Sequence, residues 1–207
     1  MQEVNIEQGS QEWYEIRYGR LTASDFHIFM GNSSTRTNLI WKKAAERITN
    51  TASDSCKYSN YHIERGNEQE PIARDMYEVI SGNDVKVTGF IVSDDTVGCS
   101  PDGLVGDDGL IEIKCKDTHT HLKAVVKNYI EPTHFTQMQF SMYVTGRKWC
   151  DYVLYNENYD NPLHIVRVDK DNEYISKIQE QIERANNEID KIIKQAENKR
   201  LWKARNS

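Results

Sequence analysis

Two stretches in the first half of the chain carry apolar residues at helical spacing. Apolar positions 40, 44 and 48 predict a helix over residues 37–48, and positions 72, 76, 79 and 80 predict one over residues 61–80. Pro71 lies inside the second stretch, where proline removes a helical hydrogen bond, so we expect a kink or a helix restart there. The polar residues 50–60 between the two stretches predict a loop.

Capping residues indicate two shorter helices near the N-terminus. Ser10 is a candidate N-cap for a helix over residues 10–18, because its hydroxyl can accept a hydrogen bond from an unpaired N–H of the first turn. Thr22 or Ser24 can cap a second helix that ends near Met30. The N-terminal segment is therefore predicted to be largely helical.

A β-rich region follows the predicted helix 61–80. Residues 85–92, 97–105 and 110–115 predict strands, with turns at 93–96 and at the Gly-Asp-Asp-Gly sequence 106–109. Three strands joined by short turns predict an antiparallel meander.

The rest of the chain returns to helices and strands. Helices are predicted over about residues 119–128 and 133–145, and strands over 149–155 and 163–168. A long amphipathic helix is predicted from Asp171 onwards. Its isoleucines recur at three- and four-residue steps and are expected to pack on the core: Ile175, Ile178, Ile182, Ile189 and Ile193.

Composition limits the class of protein. The 207 residues fit one domain, and 38% hydrophobic residues with 11 Tyr and 4 Trp can form its core. Residues 1–12 are mostly polar, and no apolar run approaches the roughly 18 residues of a membrane span, so we expect neither secretion nor membrane insertion. The net charge of −6 argues against coating nucleic acid by bulk charge, although an enzyme can concentrate basic residues in one channel.

Three residues of the predicted meander carry candidate chemistry: Asp102, Glu112 and Lys114. Positions 102 and 112 are symmetric about residue 107 in the turn, so an antiparallel hairpin makes them cross-strand neighbours. Two adjacent carboxylates repel unless a cation lies between them, and hard oxygen ligands suit Mg²⁺. Lys114 could orient or deprotonate a water, or stabilise charge on a phosphate. The alternative is a surface hairpin with one Glu–Lys pair, and Pro101 leaves the register open.

The cysteines and two of the histidines are expected to have structural rather than catalytic roles. The four cysteines form no C-x-x-C pair and are expected to be reduced thiols: Cys56, Cys99, Cys115 and Cys150. Cys99 and Cys115 share the symmetry point at residue 107, which predicts neighbours on the face away from the metal. His119 and His121 are expected to be surface or hydrogen-bonded residues rather than metal ligands. The helix 37–48 carries a cluster that could face DNA or form a solvated charged face: Trp41, Lys42, Lys43 and Arg47.

Flanking motifs give a family resemblance. Gly66 and Glu70 form G-x-x-x-E before the meander, and Gln139 and Tyr143 form Q-x-x-x-Y after it. With Asp102, Glu112 and Lys114 in this order, the chain resembles the PD-(D/E)XK nuclease superfamily, particularly its RecB-like branch. Further segments narrow the resemblance to the YqaJ-type viral recombinase family, which includes phage lambda exonuclease. They are Trp-Tyr-Glu-Ile-Arg (13–17), Leu-Thr-Ala-Ser (21–24), Cys-Ser-Pro-Asp-Gly-Leu (99–104), Glu-Ile-Lys-Cys (112–115) and Gln-Met-Gln-Phe-Ser-Met (137–142).

The resemblance, which extends from about residue 8 to about 171, implies the fold. It implies an α+β, restriction-endonuclease-like core with a central mixed β-sheet flanked by helices. The whole chain, 1–207, is expected to form one nuclease domain. Its catalytic core covers about residues 61–168, followed by the C-terminal helix over about 171–203.

The same resemblance implies roles for individual residues. Asp102, Glu112 and the carbonyl of Ile113 would ligate the metal, and Lys114 would be the catalytic lysine. Glu70 would be an upstream acid that binds a second metal directly or through water; Pro71 directly after it is a departure from the expected pattern. Two further sets complete the implied site. Gln139 would lie near the nucleophile or scissile phosphate, and the 5′-phosphate pocket would contain Arg17, Ser24 and Ser100.

The implied function is a Mg²⁺-dependent exonuclease, with Mn²⁺ as a possible substitute. It would degrade the 5′-ended strand of linear double-stranded DNA and leave 3′ overhangs for phage-type recombination. The implied assembly is a homotrimer with a single-strand annealing recombinase as partner, in the cytoplasm of a bacterial host and encoded by a phage or prophage. The alternatives are an endonuclease of the same fold and a catalytically silent DNA-binding or scaffold subunit.

Overall fold

This computed structural model describes residues 2–52 and 61–205, which form a mixture of helices and strands. The strands are β1 (Gln2–Val4), β2 (Leu21–Thr22), β3 (Val85–Lys86), β4 (Phe90–Asp94), β5 (Val97–Cys99), β6 (Gly103–Val105), β7 (Gly109–Cys115), β8 (Trp149–Tyr155) and β9 (Leu163–Asp169). The helices are α1 (Gln11–Glu15), α2 (Phe26–Phe29), α3 (Ser34–Thr49), α4 (Tyr61–Ser81), α5 (Thr118–Lys127), α6 (Pro132–Thr145) and α7 (Asn172–Arg205).

The described strands form two sheets, with strand orders β1-β4-β5-β2 and β3-β6-β7-β8-β9. In the second sheet β7 pairs antiparallel with β6 and parallel with β8, so this sheet is mixed, as expected. The predicted single meander over 85–115 is wrong, because the β4–β5 hairpin belongs to the first sheet and the β6–β7 hairpin to the second. The chain crosses between the sheets at residues 100–102, where Pro101 cannot donate a ladder hydrogen bond.

Most predicted helices are confirmed, with two corrections. Helix α2 is short, and its N-cap residue Asp25 makes no side-chain cap bond. Thr22 lies in β2 and the Ser24 hydroxyl binds Arg17, so neither caps this helix. Helix α4 runs continuously through Pro71, so the expected restart is absent. Residues 53–60 of the predicted 50–60 loop lie outside the described part of the chain.

The second sheet separates two apolar clusters. On one face, Ala73 and Tyr77 of α4 pack with Ile111 and Ile113 of β7. On the other, β7 contributes Leu110 to the larger cluster with α2, α3, α6 and α7. The isoleucine stripe of α7 belongs to this larger core, as predicted. Strand β7 is therefore covered on both faces by helices, and its polar side chains lie in a largely buried setting.

Helix α3 holds the N-terminal segment in place. Lys43 and Glu46 form a buried ion pair at 3.2 Å, and Glu46 also accepts a hydrogen bond from the N–H of Gly19 at 2.9 Å. Arg47 donates to the carbonyl of Gly19 at 2.8 Å. Gly19 has φ +69 and lies against the Arg47 side chain, so a larger residue would be strained there. Lys43 and Arg47 therefore anchor this turn and belong neither to a DNA-facing cluster nor to a solvated charged face, the two alternatives left open by the sequence. Trp41 is exposed.

The described cysteines are free thiols, as predicted: Cys99, Cys115 and Cys150. Cys56 lies outside the described residues. The expected proximity of Cys99 and Cys115 is wrong, because Cys99 pairs with Ile91 in the first sheet while Cys115 pairs with Tyr155 in the second. Cys99 lies in the core cluster of Leu110, and Cys115 packs on the opposite face of the second sheet. The β6–β7 pairing begins at Gly103, so the symmetry about residue 107 does not extend as far back as Cys99.

Among the helices of residues 2–52 and 61–205, none combines the length and apolarity that a membrane crossing requires.

Candidate active site

The β6–β7 hairpin brings Asp102 and Glu112 together. Its register pairs Gly103 with Ile111 and Leu104 with Leu110. One further step of the same register places Asp102, directly before β6, opposite Glu112. The predicted symmetry about residue 107 is confirmed, since the short turn between the two strands fixes their alignment.

A side-chain hydrogen bond replaces the hairpin ladder beyond β6. Oδ2 of Asp102 accepts a hydrogen bond from the N–H of Ile113 at 2.6 Å. At the hydrogen-bonded positions of an antiparallel ladder, the N–H and C=O of one residue both pair with the same residue across the hairpin. The partner of Ile113 in this register is Pro101, which has no N–H. The Ile113 carbonyl therefore receives no backbone donor from that position and remains available as an oxygen ligand beside Asp102.

Glu112 and Lys114 form an ion pair on one face of β7. Glu112 is only 1% exposed, and the Lys114 ammonium donates to its Oε1. Tyr152 of β8 is the register partner of Glu112, and its hydroxyl lies 2.8 Å from Nδ1 of His134 at the start of α6. Burial, followed by the charge of Lys114, lowers the pKa of His134 to about 3, so this imidazole is neutral at physiological pH.

Helix α4 supplies the upstream acid. Glu70 is bound by the guanidinium of Arg74, one helical turn later, and Nε of Arg74 also donates to the Asp102 carbonyl at 3.1 Å. The charges of Asp102 and Lys114 both affect the pKa of Glu70, which places its carboxylate in the same electrostatic environment. Pro71 does not turn Glu70 away from the site.

Burial destabilises the ionised form of the three carboxylates at this site. Burial, with the charge of Asp102, raises the pKa of Glu70 to about 7, and burial raises the pKa of Glu112 to about 8 against the opposing charge of Lys114. Burial also raises the pKa of Asp102. Burial by itself would lower the pKa of Lys114, but Glu112 and Asp102 outweigh it and raise that pKa. Additional positive charge would stabilise the three carboxylates.

The donor set fits a hard divalent cation. Within residues 2–52 and 61–205, no three acidic, histidine or cysteine side chains already form a metal cluster. Each carboxylate is instead turned towards a protein donor: Asp102 to an N–H, Glu112 to Lys114 and Glu70 to Arg74. In the described contacts, Oδ1 of Asp102 and Oε2 of Glu112 accept no hydrogen bond. Together with the Ile113 carbonyl they provide the oxygen ligands that Mg²⁺ and Mn²⁺ prefer.

A second cluster contains the residues predicted to bind a terminal phosphate. The Arg17 guanidinium donates to the Ser24 hydroxyl at 3.0 Å and lies over the Trp13 ring, 4.1 Å from its centroid. The indole N–H of Trp13 donates to Oγ of Ser100 at 2.8 Å. The structure thus brings Arg17, Ser24 and Ser100 together around Trp13, a residue to which the sequence analysis gave no role.

The two clusters share a short connecting segment and border one cleft. Ser100 belongs to the Arg17 cluster, and Asp102, two residues later, belongs to the carboxylate cluster. A cleft of about 730 Å³ next to them is lined in part by Trp13, Tyr14, Glu70 and Arg74. Arg74 had no predicted role either, but its position four residues after Glu70 on a predicted helix places it on the same face.

Gln139 and the two histidines of residues 119–121 make their described contacts away from the carboxylate cluster. Gln139 is fully buried, and its amide donates to the Asp169 carbonyl at 2.9 Å and accepts from the Asp171 N–H at 2.9 Å. The Gln139 amide therefore bonds to the junction of β9 and α7 and not to the carboxylate cluster. His119 is largely exposed, as expected, whereas His121 is buried and stacks on Tyr159.

The fold places this chain among the nucleases of the PD-(D/E)XK class, and solved structures agree. The alkaline exonuclease LHK-Exo from Laribacter hongkongensis is 33% identical, with a TM-score of 0.86 over 93% of this chain and 98% of that one. A structure of LHK-Exo in complex with dAMP has 34% identity and the same TM-score and coverage. A phage related exonuclease from Haemophilus somnus 129PT shares the fold at 20% identity, with a TM-score of 0.66 over 86% of this chain and 96% of that one.

The family follows from the sequence itself. The family model of the YqaJ-like viral recombinase domain matches residues 12–148. This chain belongs to that family, and the resemblance inferred from its motifs is confirmed. No curated protein sequence matches the chain.

Proposed function

We propose that this protein is a divalent-metal-dependent exonuclease that degrades the 5′-ended strand of linear duplex DNA in the 5′→3′ direction and leaves 3′ overhangs. One observation carries the proposal: Ser100 of the Arg17 cluster and Asp102 of the carboxylate cluster are two residues apart. A terminal phosphate held by the first cluster would present a nearby phosphodiester to the second. The 33% identity with the alkaline exonuclease LHK-Exo supports this assignment.

The carboxylate cluster would hold the cation. Asp102, Glu112 and the Ile113 carbonyl would be its ligands, with Glu70 as a direct or water-mediated ligand of a second ion. A bound Mg²⁺ or Mn²⁺ supplies an activated water and stabilises charge on the phosphoryl group. Lys114 would stand beside the reacting phosphate, either to stabilise its charge or to orient or deprotonate the water.

The Arg17 cluster would hold the DNA end. A terminal phosphate carries a charge near −2 and offers several acceptor oxygens, which suit the planar fork of a guanidinium. Arg17 is held against the Trp13 ring, so less of its conformational freedom would be lost on binding. Ser24 and Ser100 would contribute hydroxyl donors. Gln139 would support the site indirectly, through the β9–α7 junction to which its amide is bonded.

The assembly and partner are also proposals. The membership in a viral recombinase family supports work on phage or prophage DNA in a bacterial host, together with a single-strand annealing protein. We propose a homotrimer that encloses the duplex, with basic residues facing its channel to offset the net charge of −6. Light scattering of the purified protein should give three times the chain mass of 24.1 kDa.

The decisive experiment uses linear duplex DNA labelled at either end of one strand, with and without Mg²⁺. Loss of the 5′ label as mononucleotide at early times, while the 3′ label on the same strand is still retained, would support the proposal. Loss of the 3′ label first, or cleavage independent of a divalent ion, would contradict it. A circular, unnicked plasmid distinguishes the proposed exonuclease from the endonuclease alternative, because only an endonuclease cuts it. A silent subunit is disfavoured by the complete set of Asp102, Glu112 and Lys114.

A further inference from the structure

Arg74 contacts both sides of the candidate active site. It lies on α4, its side chain is only 14% exposed, and its guanidinium binds the Glu70 carboxylate. The same guanidinium donates from Nε to the main-chain carbonyl of Asp102 at 3.1 Å. One side chain therefore joins the acid from the helix to the acid from the hairpin.

The segment that carries Asp102 depends on side chains for its position. Residues 100–102 lie between β5 and β6 and belong to neither strand. The Trp13 indole donates to the Ser100 hydroxyl at 2.8 Å, and the Gln8 amide donates to the Pro101 carbonyl at 3.3 Å. Arg74 completes this series at Asp102. Each of three consecutive residues is thus fixed by one donor from a distant part of the chain.

Asp102 is fixed at both ends by this arrangement. Its carbonyl is bound by Arg74, and its carboxylate is bound by the Ile113 N–H. Loss of the first bond would leave the carboxylate attached to β7 while its main chain could shift. The direction of the remaining oxygen, Oδ1, would then no longer be fixed relative to Glu70.

We propose that Arg74 is a positioning residue that sets Glu70 and Asp102 for divalent-cation binding. The inference rests on the metal-dependent function proposed above. Lysine cannot replace Arg74, because one ammonium cannot reproduce two divergent N–H bonds held in a planar fork. The geometry, and not the positive charge alone, is the required property. Residues that orient metal ligands typically contribute about 10- to 100-fold to metal affinity or activity.

The test measures Mn²⁺ binding to the full-length protein without DNA, from the loss of the free-ion electron paramagnetic resonance signal. The variant is Arg74→Lys, and the matched control is Arg184→Lys. Arg184 forms an equivalent i,i+4 pair with Glu188 at 3.1 Å on α7, away from the site. Thermal unfolding by circular dichroism confirms that each variant is folded, and a steady-state assay on 5′-phosphorylated duplex separates kcat from KM.

We expect Arg74→Lys to bind Mn²⁺ about 10- to 100-fold more weakly, with a reduced kcat at fixed Mn²⁺ that recovers at higher Mn²⁺. Arg184→Lys should match the wild type. Wild-type Mn²⁺ affinity in Arg74→Lys would overturn the inference, as would an increased KM for DNA without a change in metal affinity, which would make Arg74 a DNA contact. If Arg74→Lys does not fold, Arg74→Gln is measured in the same way. Wild-type Mn²⁺ affinity in Arg74→Gln would also overturn the inference. A wild-type protein that neither binds Mn²⁺ nor cleaves DNA would instead refute the proposed function itself.

Discussion

The Asp102 carboxylate is bonded to the main-chain N–H of Ile113, with 2.6 Å between Oδ2 and N. This bond takes the place of the ladder bond that a residue before β6 would otherwise make. It holds the carboxylate at the edge of β7, where the Ile113 carbonyl also lies. A side-chain carboxylate and a main-chain carbonyl, the two ligands proposed for the cation, are thereby placed next to each other by one hairpin.

The first prediction concerns the carboxylates of Asp102 and Glu112. Asp102→Ala and Glu112→Ala should each reduce cleavage to background, because each removes a proposed oxygen ligand of the cation. Duplex binding, measured by fluorescence anisotropy, should survive. Lys114→Ala should retain Mn²⁺ binding but lose roughly 10²- to 10³-fold in turnover, as is typical when one donor to developing charge is removed. Cleavage by Asp102→Ala at near the wild-type rate in Mg²⁺ would show that the site is elsewhere.

The second prediction uses the residue opposite Ile113. Pro101→Ala introduces an N–H that can donate to the Ile113 carbonyl and so compete with a cation for this oxygen. We expect weaker Mn²⁺ binding in the Pro101→Ala variant. The unfolding free energy should fall by only about 0.4–1 kcal/mol, through the more flexible unfolded chain.

Pro162→Ala is the control for this variant. Pro162 precedes β9 and its carbonyl accepts from the Asn156 N–H at 3.0 Å, so the change should affect stability alone. If both variants bind Mn²⁺ as the wild type does, the Ile113 carbonyl is not a ligand.

The hairpin and its acids could be predicted from the sequence because the information is local. The Gly-Asp-Asp-Gly turn sets the register, and a register fixes which side chains of two adjacent strands face each other. Asp102 and Glu112 are therefore neighbours in the structure as well as in the sequence pattern. Helix α7 could be predicted for the same reason, since the spacing of its isoleucines indicates an amphipathic helix whichever elements it packs against.

The division into two sheets could not be predicted in the same way. Residues 97–105 resemble one continuous strand, and only the tertiary structure separates β5 from β6 at Pro101. The contacts that fix this crossing join residues far apart in sequence: Trp13 and Ser100 are separated by 87 positions, and Arg74 and Asp102 by 28. Lys43 was misinterpreted for a related reason, because a buried ion pair with Glu46 has the same helical spacing as an exposed one.

The third prediction tests Arg17 with two substrates. Arg17→Ala should slow degradation of 5′-phosphorylated duplex far more than that of 5′-hydroxyl duplex, with the metal requirement unchanged. A hydrogen bond to a charged group contributes roughly 1.5–3 kcal/mol, or about 10- to 100-fold in rate at the limiting step. Arg184→Ala, on the exposed surface of α7, should leave both rates unchanged. Equal slowing on both substrates would show that Arg17 does not bind the terminal phosphate.

The last prediction separates the two contacts of Trp13. Its ring lies under the Arg17 guanidinium, and its indole N–H binds the Ser100 hydroxyl. Trp13→Phe keeps an aromatic ring for Arg17 but removes the donor to Ser100, at a cost of about 0.5–1.5 kcal/mol in stability.

If Ser100 is placed by this bond, the preference for 5′-phosphorylated over 5′-hydroxyl duplex should fall in Trp13→Phe, and fall further in Trp13→Ala, which also removes the support of Arg17. Trp149→Phe is the matched control, because Trp149 likewise stacks on an arginine, Arg167, at 3.6 Å but belongs to β8. The ratio of initial rates on the two substrates is the measured quantity, since a loss of folded protein lowers both rates equally and leaves the ratio unchanged. An unchanged ratio in Trp13→Ala would mean that the Arg17 cluster does not read the DNA end, even if the variant is less stable.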